Sequence, residues 1–281
     1  MRQVLLSAVV LTFFAFQASA QTADEIVSKY VKAIGGMEKI QAIKTLRSTG
    51  KFSGGGGFEA VVVDENKRPN KTREDFSIQG MTAISAYDGR DGWKIEPFGG
   101  KKDVESLSEE ELKAMLDGAD FDNPLINYKA RNIKVEYAGL EPVDGTDAYK
   151  LKVTLPSGTV ENYFMDTDYY VPIKIETKRT VRGTEIEAET ILGDYKEVNG
   201  IYFPFSIETG AKGSPNKVTI TMEKIEANVP IDDSRFMRPM AKTPMQQPGG
   251  IVEEDKNIPK TQDKKNEPGK IIPPSVKKPI S

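Results

Sequence analysis

The segment Tyr149-Lys150-Leu151-Lys152-Val153-Thr154-Leu155 alternates apolar and polar residues without a break. A period of two puts every second side chain on one face, so this is a strand with one dry side and one wet side. The same reading extends outward in both directions. Downstream lie 160–166, 171–181, 185–198, 201–209 and 218–222, separated by Pro156-Ser157-Gly158, Arg182-Gly183, Asn199-Gly200 and 213–216. Asn-Gly between apolar runs is a strong hairpin signal, because both residues readily adopt positive φ. Upstream, Ile133, Val135 and Tyr137 share a face, and 45–52, 58–64, 71–79, 81–87 and 93–96 read as earlier strands. Between Met222 and Ile225 the apolar phase slips by one residue, as a β-bulge would require.

Short turns impose antiparallel pairing, since parallel neighbours need a long crossover. The expected body is therefore mainly β (α+β), a single antiparallel meander of ten or eleven strands. A sheet that wide curls. Two helical segments accompany it. Thr22 and Glu25 stand at capping-box spacing, Ile26, Val27, Tyr30, Val31 and Ile34 form one apolar stripe, and Gly35-Gly36 ends the helix before a short turn over 37–43. In mid-chain, Ser108 and Glu111 form a second capping box, with Leu112, Met115 and Leu116 on one face and Gly118 after them. Phe121, Leu125 and Ile126 follow around Pro124, too irregular for a long helix.

The two ends read differently from the body. Arg2, the apolar run 4–16 and Ala18-Ser19-Ala20 have the layout of a secretory signal peptide over 1–20, with cleavage after Ala20. Its apolar run is shorter than the roughly 20 residues that a membrane-spanning helix needs. Residues 238–281 hold eight of the seventeen prolines and a net charge of +4, and their composition predicts a disordered tail. The whole chain is −3 and the first twenty residues +1, which leaves −8 for the single domain over 21–237. So acidic a body argues against a nucleic-acid partner, because phosphate recognition needs clustered Lys and Arg. The expected location is the periplasm of a Gram-negative-type envelope.

Composition also restricts the chemistry. The chain has no cysteine and no histidine. This removes disulfides, thiol nucleophiles, ordinary zinc sites and the commonest general base. Glu109-Glu110-Glu111 occupies a helix N-terminus, where the dipole favours negative charge. Gly54 to Gly57 lacks the lysine and following helix of a phosphate loop, and reads as a hairpin tip. Asp88 with Asp91, and Asp166 with Asp168, resemble calcium spacings only superficially, and turn aspartates serve local hydrogen bonds. No catalytic residue, metal or cofactor is expected.

Three stretches carry a resemblance to a known family. The run Ile-Gly-Gly-Met-Glu-Lys-Ile-Gln-Ala-Ile-Lys-Thr-Leu-Arg (34–47), the turn Tyr-Asp-Gly-Arg-Asp-Gly-Trp (87–93) and Asp-Tyr-Lys-Glu-Val-Asn-Gly-Ile-Tyr-Phe-Pro-Phe (194–205) resemble outer-membrane lipoprotein-sorting proteins of the LolA/LolB-like superfamily. Ile-Glu-Ala-Asn-Val-Pro-Ile-Asp-Asp-Ser-Arg-Phe (225–236) is similar as well. The resemblance implies a half-open antiparallel β-barrel with a helical lid over an apolar cavity. It implies a non-enzymatic carrier of lipids or lipoprotein acyl chains, a monomer, with transport partners at the inner and outer membranes. Without a lipidation cysteine the chain resembles the soluble carrier and not the anchored receptor.

Strand parity and the mid-chain helix nominate Phe76, Ile84, Trp93, Met115, Leu116, Phe121, Leu151, Val153 and Phe164 as cavity lining. Two rival readings use the same residues differently. In one, the fold is a sensor or scaffold with a filled core that binds a partner protein. In the other it is an envelope hydrolase, for which the chain offers no nucleophile–base pair.

Overall fold

The computed structural model describes residues 21–239 apart from 101, 102, 120 and 182. The expected signal peptide over 1–20 and residues 240–281 of the expected tail lie outside the described residues. Two helices open the domain, α1 (Ala23–Ala33) and α2 (Met37–Ala42). Thr22 and Glu25 form the capping box that their spacing predicts, Thr22 Oγ1 accepting from Glu25 N and Glu25 Oε2 from Thr22 N. Six strands follow: β1 (Thr45–Gly54), β2 (Phe58–Lys67), β3 (Lys71–Ile78), β4 (Met81–Tyr87), β5 (Gly92–Ile95) and β6 (Glu105–Ser106). After α3 (Glu109–Ala119) come β7 (Lys134–Val143), β8 (Thr146–Thr154), β9 (Val160–Asp166), β10 (Pro172–Val181), β11 (Thr184–Val198), β12 (Ile201–Ala211) and β13 (Val218–Ala227).

All thirteen strands belong to one antiparallel sheet in the order β6-β5-β4-β3-β2-β1-β13-β12-β11-β10-β9-β8-β7. The count exceeds ten or eleven partly because two-residue β6 is too short to show a period. The meander is also interrupted. β7 does not pair with β6 but forms the opposite edge, and the two halves join where β13 lies beside β1. Among the described residues no pairing connects the two edges, so the barrel is open. Asn199 and Gly200, at φ 51° and 76°, make the β11–β12 turn that their identity predicts. The predicted bulge is present too, with Thr49 opposite Lys224 and Gly50 opposite Met222, leaving Glu223 over.

Each face of the sheet has its own cover. On the inner face, Ile26, Val27 and Tyr30 of α1 share a buried cluster with Leu151, Val153, Tyr163 and Met165. On the outer face the chain after β13 runs back as a strap across β1–β5. Asp233 pairs with Lys67 and Lys71 at 2.7 and 2.8 Å, and Arg235 binds Glu65 and Asp75 at 2.7 and 3.1 Å. Glu65, whose side chain is only 3% exposed, also accepts from Arg47. Trp93 Nε1 donates to Phe236 O at 2.8 Å, with both side chains fully buried. The strap encloses a tryptophan and a charged network that would otherwise face water.

The inner side has one break. β12 pairs with β13 only over Ser206–Thr209, so its first residues diverge from the neighbouring strand. Backbone donors along such a gap need other partners. Tyr202 N finds one in Ile34 O at 3.0 Å, and Pro204 has no N–H to satisfy. The α1–α2 corner approaches closely here, because a Cβ on Gly35 would lie 2.2 Å from Gly200 O.

Candidate functional site

Three hollows lie around the inner face. The first, about 570 Å³, runs between α3 and β3–β5 and is walled by Phe76, Phe98, Leu107 and Met115 with Glu74, Ser85, Lys94 and Glu111. The second, about 470 Å³, lies along α3 toward Pro124, Ile133 and Leu155, and includes Leu112 and Leu116. The third, about 190 Å³, sits at the β12 divergence under α1 and α2, between Tyr30, Ile34, Leu46, Phe121 and Tyr195. The first two volumes are in the range of pockets that hold small ligands.

α3 is held between the first two hollows mainly by its ends. Ser108 and Glu111 form the predicted capping box, and Lys94 Nζ reaches Glu111 at 2.5 Å. That lysine holds the Glu111 carboxyl down at about 2, with the Ser108 hydrogen bonds adding to the effect. Leu107 and Leu112 rest on Gly92, where a Cβ would come within 2.8 and 2.9 Å of them. Toward the other end, Asp117 accepts from Ser157 Oγ and Thr159 Oγ1 at 3.0 and 2.7 Å. Glu109 to Leu116 include no buried residue, and Leu116 is 42% exposed.

At one end of the first groove the sheet exposes an aromatic group. Phe76 packs against Phe52, Phe58 and Phe98 with centroid distances of 5.2, 6.4 and 6.1 Å. Phe58 and Phe98 remain 41% and 44% exposed. Clustered exposed aromatics next to a groove mark a binding surface more often than scattered ones do.

A polar row crosses the inner face beside this apolar wall. Ser48, Asp64, Glu74, Ser85 and Lys94 are successive partners across β1–β5. Burial raises the Asp64 carboxyl to about 7, Glu74 adds to the rise, and a hydrogen bond from Ser48 opposes it. The Glu74 carboxyl, although solvent-exposed, is also raised, first by partial desolvation in the groove and then by Asp75. The unfolded chain would release the Asp64 proton near its ordinary value, so the native state binds more protons between roughly pH 4 and 7. Asp64 therefore stabilises the fold less as pH rises through that window. Asp64→Asn should raise the melting temperature at pH 8, by up to about 4 kcal/mol of stability, and the gain should vanish near pH 4. Thermal denaturation at both pH values checks this; an equal gain at each would refute it.

Comparison with solved structures assigns the architecture. A DUF1329 family protein from Desulfovibrio piger matches with a TM-score of 0.53 at 13% identity, over 76% of this chain and 97% of that one. A LolA superfamily protein from Nitrosomonas europaea matches with a TM-score of 0.52 at 15% identity, over 78% and 99%. The fold is that of the LolA superfamily. An outer-membrane lipoprotein-sorting protein domain from Vibrio parahaemolyticus gives a TM-score of 0.53 at 12% identity, over 76% and 97%. No family model matches the sequence, and no curated protein matches it significantly.

Within this LolA fold the nine nominated residues separate. Phe76 and Met115 both line the first groove, Leu116 lines the second, and Phe121 lines the cavity at the β12 divergence. Ile84 borders the first groove but pairs with Asp75 and Ile95, in outer-face register. Leu151 and Val153 are fully buried in the cluster with α1 and border none of the three hollows. Trp93 lies under the strap on the outer face. Phe164 is in outer register as well, with Lys150 and Lys174 each 5.0 Å from its ring. Parity assigned these last two to the wrong side because it gives alternation without saying which phase meets the helices. Phe52, Phe58, Phe98 and Leu107 were not nominated. The glycine-rich hairpin between Phe52 and Phe58 is the sequence signal that could have found the first two.

The turn aspartates are satisfied locally. Asp88 Oδ1 accepts from Arg90 N and Asp91 N, and Asp166 Oδ1 from Asp168 N and Tyr169 N, all at 2.8 Å.

Proposed function

We propose that this chain is a non-catalytic envelope carrier that binds the acyl chains of a lipid or lipoprotein on its inner face. The observation that supports it best is the pair of grooves flanking α3, a helix tied mainly at its ends and with no buried residue over Glu109 to Leu116. Such a helix can be displaced by cargo without breaking a packed core. Acyl binding requires no special chemistry, because each buried methylene contributes about 0.8 kcal/mol. Ten methylenes would offer about 8 kcal/mol before the costs of association. The secretory layout of residues 1–20 and a fold shared with a lipoprotein-sorting domain favour the periplasm, with exchange partners at the inner and outer membranes.

The test is native mass spectrometry of protein purified from its own envelope. Co-purifying acyl lipid supports the carrier. A clean apo mass, unchanged by added phospholipid, would instead favour a module that binds a partner protein. Phe76→Asp places a charge in the apolar wall and should weaken uptake of a fluorescent fatty-acyl probe about tenfold or more. Unchanged uptake in a variant with native circular dichroism would remove Phe76 from the site.

A further inference from the structure

We propose that the groove between α3 and β3–β5 selects amphiphiles whose polar end is cationic, an alkylammonium head held at Glu74. This rests on the acyl-binding reading and adds the chemistry of the head group. The groove is apolar at Phe76, Phe98 and Met115, and its polar wall is unequal in charge. Among the described residues, Glu74, Glu96 and Glu111 line it with one cation, Lys94, which is paired with Glu111 at 2.5 Å. Among the described residues Glu74 takes no hydrogen bond or ion pair, and Asp64, its register partner, stands behind it with Ser48. Glu74 is solvent-exposed at the groove wall, so an incoming head group can reach its carboxylate directly. A phosphate or carboxylate head would add like charge to this wall. An ammonium would relieve the charge and donate to both Glu74 and Ser85 while its chain lies along Phe76 and Met115.

Three C12 probes below their micellar concentrations separate the possibilities, each titrated into the full chain by calorimetry. Dodecylammonium should bind about tenfold tighter than neutral dodecyl maltoside, the size of one partly desolvated ion pair, and dodecyl sulfate should bind weakest. Glu74→Gln should bring dodecylammonium to the level of the maltoside and leave the maltoside unchanged. Glu223→Gln removes the same formal charge from a residue paired with Lys51 and should leave the preference intact. Equal binding of all three probes, or a preference that survives Glu74→Gln, would overturn the head-group assignment while acyl binding stands. Binding of none would overturn both.

Discussion

Replacing Phe236 by alanine should cost about 3–5 kcal/mol of stability and shift the emission of Trp93 to longer wavelength. Phe236 is fully buried although it lies beyond the last strand, and its carbonyl is the hydrogen-bond acceptor of Trp93 Nε1. Truncation leaves a cavity beneath the strap, whose contacts are linked to one another. Arg73 Nη1 donates to Arg235 O, Arg235 joins Glu65 and Asp75, and Asp233 holds Lys67 and Lys71. If the strap lifts, Glu65 loses one of its two arginine partners, and breaking a buried pair from one side costs more than the pair is worth. Trp93 is the only tryptophan, so fluorescence reads this one locus. For a domain of this size the loss corresponds to a melting-temperature drop on the order of 10 °C. A drop of only a degree or two with unchanged emission would show that the strap is not part of the cooperative unit.

Arg68→Leu is the second large effect, and it acts on the inner face. The Arg68 guanidinium binds both carboxylate oxygens of Asp122 at 2.6 Å and lies 4.4 Å from the ring centroid of Phe121. It also donates to Ile40 O and Ile43 O at 3.0 and 2.7 Å, closing the C-terminal end of α2. One side chain thus joins α2, the β2–β3 turn and the loop carrying Phe121, which borders the smallest cavity. Leucine would leave Asp122 charged and about 20% exposed, and two carbonyls without this donor, a cost of about 2–4 kcal/mol. Arg68→Lys keeps the charge without the planar fork and should fall between the two. Adding Asp122→Leu to Arg68→Leu should recover part of the loss, because the stranded charge goes with it. Chemical denaturation of the single and double variants decides this. Strictly additive costs would show that the pair is not coupled.

Much of the architecture was legible from local signals. Capping boxes at Thr22 and Ser108, the Asn199-Gly200 turn and the bulge near Met222 each depend on a few neighbouring residues, and each is present in the structure. The same holds for the strand alternation, which follows from backbone geometry alone. Composition, with no cysteine and no histidine, also excludes thiol and histidine chemistry before any fold is known.

Only the tertiary structure decided which phase of each strand faces the helices. Trp93 and Phe76 are both aromatic residues on strands, yet one is sealed under residues 233–238 and the other opens onto a groove. The deciding partners are distant in the chain, with Phe236 lying 143 residues from Trp93. The edge position of β7, the joining of β13 to β1 and the divergence of β12 have the same origin. Local sequence sets what each segment can present, whereas the hollow itself is space left between segments, and no one of them encodes it.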